Sequence, residues 1–158
     1  MRAPIGRRRG RRGDRGAEHG TALVEFTWLA ILLMVPLLYV VLAVFEVQRA
    51  AYGTSTGSRT AGRAFVQADD ESQARGRALA AVDLALRDQG VPRDRRTLTV
   101  SCTPQPRNCL SPGSLVTVEV STSVPLPLVP DFVGEHRPSI QVSAEHSVPY
   151  GTYREDRP

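Results

Sequence analysis

Lysine is missing from this chain. All 20 basic residues among its 158 are arginine, which excludes a Gly-x4-Gly-Lys phosphate loop, whose ammonium group must reach the phosphates. Histidine is scarce, with three copies, and there is no His-Glu-x-x-His pair and no Gly-x-Ser-x-Gly elbow. His19 stands in the N-terminal leader, His136 in a proline-flanked loop and His146 in an alternating segment, none beside a nucleophile and an orienting group. Cysteine occurs twice, as Cys102 and Cys109. That spacing is too wide for a redox Cys-x-x-Cys, and no histidines stand nearby to complete a zinc site. These absences point away from an enzyme, a resident metal or cofactor, and a small-molecule substrate.

Charge is abundant but unevenly placed. Seven arginines, Arg2, Arg7, Arg8, Arg9, Arg11, Arg12 and Arg15, precede Gly20 against Asp14 and Glu18 alone, a net +5 out of the chain's +4, so the remainder carries about −1. A basic tail can bind nucleic acid through phosphates without sequence preference. Here it directly precedes a hydrophobic span, the place where the positive-inside rule puts arginine, and a cytoplasmic N-terminus with an exported C-terminus is expected instead of specific nucleic-acid binding. The Arg-Gly-Asp tripeptide at Arg12 to Asp14 then faces the cytoplasm and is read as compositional.

Phe26 to Phe45 is a run of twenty residues in which Thr27 is the ordinary polar interruption. As a helix it extends about 30 Å, the thickness of a bilayer's hydrocarbon core. It exceeds the apolar region of a cleaved secretory signal, and no small-x-small site follows it, so a retained single-pass anchor in the cell membrane is expected. Glu25 stands at the threshold of the run. It reads either as a helix-start residue favoured by the macrodipole, with Thr21 as N-cap, or as a group that a partner must pair. Pro36, mid-span, removes one helical hydrogen bond, which membrane helices tolerate.

Beyond the span the helical period continues to about Val66, with a small-residue face of Val47, Ala50, Ala51, Thr54, Ser58, Ala61 and Phe65. Gly53 and Gly57 form a Gly-x3-Gly, read either as a close-packing device or as composition in a weak helix. Asp70, with Gln73 three residues on, signals a new helix over about 71–89, with Ala74, Ala78, Leu79, Val82, Ala85 and Leu86 as its apolar stripe and Arg75, Arg77, Asp83 and Arg87 solvated. Gly90 and Pro92 end it. The period then drops to two. Leu98, Val100 and Cys102, then Val116, Val118 and Val120, then Ile140, Val142, Ala144 and Val148 alternate with polar residues, predicting three half-buried antiparallel strands covered by the second helix. Cys102 and Cys109 fall on the oxidising side, where a disulfide is expected, two free thiols being the alternative.

The unit Gly20-Thr21-Ala22-Leu23-Val24-Glu25-Phe26, between a basic leader and an apolar helix, resembles the processing site of type IV pilin-like proteins. With the small-residue, arginine-bearing segment Ala50 to Gln67 after the span, the chain resembles the TadE-like branch of tight-adherence (Flp-type) pilus assembly over roughly residues 16–67. The resemblance implies cleavage by a membrane prepilin peptidase between Gly20 and Thr21, which leaves Glu25 as the fifth residue, followed by Phe26. It further implies pairing of the Glu25 carboxylate with a neighbouring subunit's new amino terminus, and an assembly platform and other pilin-like subunits as partners.

The expected architecture is α+β. It comprises a basic cytoplasmic leader (1–20), a transmembrane helix (21–46), an extracytoplasmic helical region (47–92), a small antiparallel β region of about three strands (93–150) and a disordered tail (151–158). The expected role is a minor pilin or pseudopilin in the membrane or a surface filament, the alternative being an uncleaved signal-anchored binding protein of the cell envelope.

Overall fold

The computed structural model describes residues 18–126 and 138–157, with residues 18–21 described by their backbone alone. The arginine leader before residue 18, most of the proline-rich connection and His136 lie outside the described residues. The chain divides into two compact units, Met1–Leu38 and Tyr39–Pro158. Helix α1 (Glu18–Val66) contributes to both, α2 is Glu71–Asp88, and strands β1 (Arg96–Thr103), β2 (Leu115–Pro125) and β3 (Ser139–Pro149) follow a 3₁₀ turn at Arg93–Arg95. The fold is α+β, as the change of period predicts.

In the first unit the helix is apolar on every side. Phe26, Trp28, Leu32 and Met34 are about two-thirds exposed, and α1 carries a stretch of mean hydropathy 2.7, none of it buried, long and apolar enough to cross a membrane. The helix continues through Pro36 without a break.

In the second unit the three strands pair antiparallel in the order β1-β2-β3. Val118 stands opposite Val100 on one side and His146 on the other. The alternation along β2 sends Val116, Val118, Val120, Thr122 and Val124 inward, because successive side chains of a strand point to opposite faces. Both helices cover that face. Asp70 starts α2 by accepting a hydrogen bond from the Gln73 backbone N–H at 2.8 Å, and Gly90, at φ +72°, provides the left-handed residue just beyond its end.

What permits the covering is the small-residue stripe of α1. Ala50, Thr54, Ser58, Ala61 and Phe65 are buried, and the two hydroxyls turn back onto their own helix, Thr54 donating to the Ala50 carbonyl at 2.9 Å and Ser58 to that of Ser55 at 3.1 Å. No polar hydrogen is therefore stranded there. Gly53 and Gly57 do pack against α2: a Cβ on Gly57 would lie 3.7 Å from the Val82 Cα, and one on Gly53 would lie 3.0 Å from Leu86 Cδ2. Gly62 faces the sheet, where an added Cβ would fall 2.8 Å from Val148 Cγ2.

Three expectations are corrected. Ala51 is exposed, because the stripe runs through positions 50, 54, 57 and 61 and leaves Ala51 about 100° round the helix. Leu79 is 39% exposed at the rim of the α2 stripe. Asp83 is not a solvated charge: Arg96 grips both its carboxylate oxygens, the Nη2 to Oδ2 bond measuring 3.0 Å, and this bidentate pair fastens α2 to the start of β1.

The segment after β3, expected as a disordered tail, is bound to the rest of the second unit. Tyr150 is buried and its hydroxyl donates to the Glu155 carbonyl at 2.8 Å. Arg154 stacks over the Tyr150 ring at 4.7 Å and donates to the Val66 carbonyl, while Arg157 donates to the Ala68 carbonyl at 3.0 Å. Both carbonyls lie at the α1–α2 corner, where a helix end leaves acceptors without intrahelical donors.

The glycines of α1 separate by what they touch. Gly57→Ala meets only ordinary van der Waals neighbours and should leave stability unchanged or raise it by up to about 1 kcal/mol through helix propensity. Gly62→Ala drives a methyl into a stiff β-branched side chain and should lower stability by about 1–2 kcal/mol in spite of the same propensity gain. Thermal unfolding of the full chain in detergent, followed by limited proteolysis, ranks the two.

Candidate functional site

The residues that the sequence singles out fall into two groups. Gly20, Thr21, Glu25 and Phe26 belong to the N-terminal part of α1, and Cys102 and Cys109 to the second unit.

Around Glu25 the backbone is helical from Glu18 onward. Thr21 is therefore one turn inside the helix and not its N-cap, since backbone pairing runs past the point where the capping pattern stops and takes in Gly20 despite a handicap of up to about 1 kcal/mol. Helical geometry places Thr21 and Glu25 one turn apart, about 6 Å along the axis. Glu25 is exposed and has no ion-pair partner among the described residues. Phe26 is 71% exposed. Thr27 donates its hydroxyl to the Leu23 carbonyl at 2.8 Å, which removes most of the cost of a polar group in an apolar run. Leu23, Val24, Trp28 and Ile31 form with Thr27 a shallow apolar hollow on the helix surface. From Ala22 to Phe45 this stretch thus presents one carboxylate, Glu25, at the threshold of a helical span whose surface is otherwise almost entirely hydrocarbon.

Cys102 and Cys109 are joined by a disulfide, with Cα atoms 5.3 Å apart, and both are buried. Closing so short a loop contributes about 2 kcal/mol in the chain-entropy picture. It fixes the chain from the end of β1 to Asn108, whose amide donates to Asp156 at 2.8 Å, so the crosslink and the C-terminal segment brace one another.

Among the described residues no group of three or more His, Cys, Asp or Glu is placed to hold a metal ion. His146 lies half-buried on the inner face of β3, an edge strand, with Val118 opposite. One hollow of the second unit is lined by Arg75, Leu79, Leu98 and Val100 between α2 and β1, and another by Glu46, Ala50, Val91 and Val124 with their neighbours.

The arginines that do structural work, Arg96, Arg154 and Arg157, were not signalled by any spacing. Tyr150 had a weak signal, an aromatic closing an alternating strand. The chain matches no family model, no curated protein and no solved structure.

One electrostatic feature of the second unit is open to titration. The Ser72 hydroxyl and then the Gln73 N–H, both donating to Asp70, hold its carboxyl below the ordinary aspartate range. A group whose folded value is depressed adds stability that is complete above its unfolded value, near 4, and disappears as the pH falls through the folded one. Unfolding of the full chain in detergent across the acid range should lose stability more steeply for wild type than for Asp70→Asn, while Asp70→Ala should be weaker than wild type at neutral pH.

Proposed function

We propose that this chain is a membrane-anchored, pilin-like structural subunit of the TadE-like kind, serving a tight-adherence pilus or related secretion apparatus and performing no catalysis. The observation that carries the reading is the span of the N-terminal helix up to Phe45, apolar on every side with its apolar side chains exposed, and headed by the Glu25 carboxylate four residues beyond Thr21. A helix that is hydrophobic all round belongs in a membrane or among other helices. The arginine leader sets the topology, N-terminus in and residues 47 onward out.

Cutting between Gly20 and Thr21 removes the leader and creates an ammonium group one turn from Glu25. In a low-dielectric bundle a lone carboxylate is expensive and a paired one is tolerated. The ammonium of one subunit and the Glu25 of the next then set the register of their helices. The tolerance for a retained carboxylate at the threshold of the span supports this reading over an ordinary anchor.

A second reading, an uncleaved anchor carrying an envelope-binding domain, is favoured by one observation. The Gly20–Thr21 bond lies in helical backbone, whereas a protease takes its substrate extended. First turns of helices fray at little cost, so the bond is within reach of an enzyme that unwinds it.

The mature N-terminus decides. Mass spectrometry of the membrane-extracted protein, with and without an active prepilin peptidase, is expected to find a chain beginning at Thr21 only when the peptidase is present. A chain that keeps its leader in both cases rules out the pilin-like route. With cleavage established, Glu25→Gln and Glu25→Val should each reduce co-purification with pilin partners severalfold, and unaltered co-purification rejects the pairing.

A further inference from the structure

The outer face of the sheet is neutral and hydroxyl-bearing except at one point. Glu119 and Glu145 stand directly opposite one another in the β2–β3 register, with Thr99 on the far side of Glu119. Both carboxylates are exposed. No described basic side chain forms an ion pair with either, although seven of the other acidic residues of this unit do pair with arginine or cap a helix or tie the loops. Like charges directly opposite on adjacent strands destabilise a sheet, so the pair is a local cost that the chain itself does not relieve.

The opposite sign is displayed elsewhere on the same unit. On α1, the side turned away from α2 and the sheet carries Arg59 and Arg63, both exposed and neither in an ion pair among the described residues. Four residues apart on a helix, their Cβ atoms are about 5–6 Å from one another, and cross-strand neighbours such as Glu119 and Glu145 are separated by about 5 Å. The two pairs match in spacing and are opposite in charge, and they occupy different surfaces of one unit.

We propose that the Arg59–Arg63 face of α1 docks on the Glu119–Glu145 face of the sheet in a second copy of this chain. The guanidinium groups fit carboxylates in forked geometry, and they relieve the repulsion between the two glutamates. Because the two surfaces differ, the contact is heterologous: copies join head to tail, into a ring or an open row according to the rotation between neighbours. The contact does not depend on cleavage after Gly20, so it stands or falls separately from the processing step.

The absence of lysine supplies a clean reporter. Arg63→Lys places the sole side-chain amine in the protein, and a carbodiimide then condenses it with a carboxylate within reach, forming one amide bond while the carbodiimide takes up the water as a urea. The full chain carrying this substitution, reconstituted in lipid nanodiscs from equal parts of isotopically heavy and light protein, is expected to give mixed heavy–light peptides joining position 63 to Glu119 or Glu145. Glu119→Gln with Glu145→Gln removes the acceptor carboxylates and should abolish these peptides, which checks their assignment. Charge reversal adds a second readout with differently tagged copies. Arg59→Glu with Arg63→Glu should abolish association of like copies, as should Glu119→Arg with Glu145→Arg, and mixing the two variants should restore it. Absence of mixed-isotope peptides between these positions, or association of the mixed pair no better than of either variant alone, overturns the proposal.

Discussion

The second unit depends on how closely α1 approaches its neighbours. Gly53, Gly57 and Gly62, with Ala50, Ala61 and the back-bonded Thr54 and Ser58, reduce one side of that helix almost to backbone. Val82, Ala85 and Leu86 of α2 fit on one flank and Val118 and Val148 of the sheet on the other. With larger residues there the helix would stand away from the sheet, and Phe65 and Leu110 would lose the enclosure that leaves both fully buried. The usual arrangement of large apolar residues on a helix is replaced by large residues on its partners, which keeps packing dense while the helix itself remains slender.

Much of this was legible in the residues. Period-two alternation located all three strands to within a residue or two at each end, and Asp70 with Gly90 bracketed α2, because strand pleating and helix capping act on near neighbours. The role of Gly53 and Gly57 was not legible, since a Gly-x3-Gly in a weak helix looks the same whether or not another helix lies against it. Nor was the pairing of Asp83 with Arg96, thirteen positions apart, or the binding of the final segment by Arg154 and Arg157. In a chain with 20 arginines nothing local distinguishes a solvated guanidinium from one that closes a distant carbonyl. For the N-terminal group, the spacing of Thr21 and Glu25 was readable and the extent of the helix was not, since Thr21, to which the capping pattern points, already lies in helical backbone.

The two units use hydrophobicity in opposite ways. In the second, core side chains such as Phe65, Leu86 and Val118 are enclosed by their own chain, and polar groups are spent on joints: Arg96 with Asp83 between α2 and β1, and Asn108 with Asp156 beside the disulfide. In the first, apolar side chains are turned outward and left uncovered. That division suits a chain whose second unit packs on itself while its first is matched to an apolar environment.

The carbonyls of Val66 and Ala68 are satisfied by arginines 88 and 89 residues later in the chain. Synthesis proceeds from the N-terminus, so the corner between the helices is made early and stays open while the whole sheet is still to come. The order of events is thereby set by the covalent chain: the apolar helix is made first, and the second unit is completed last, when its most distant arginines arrive to close the corner.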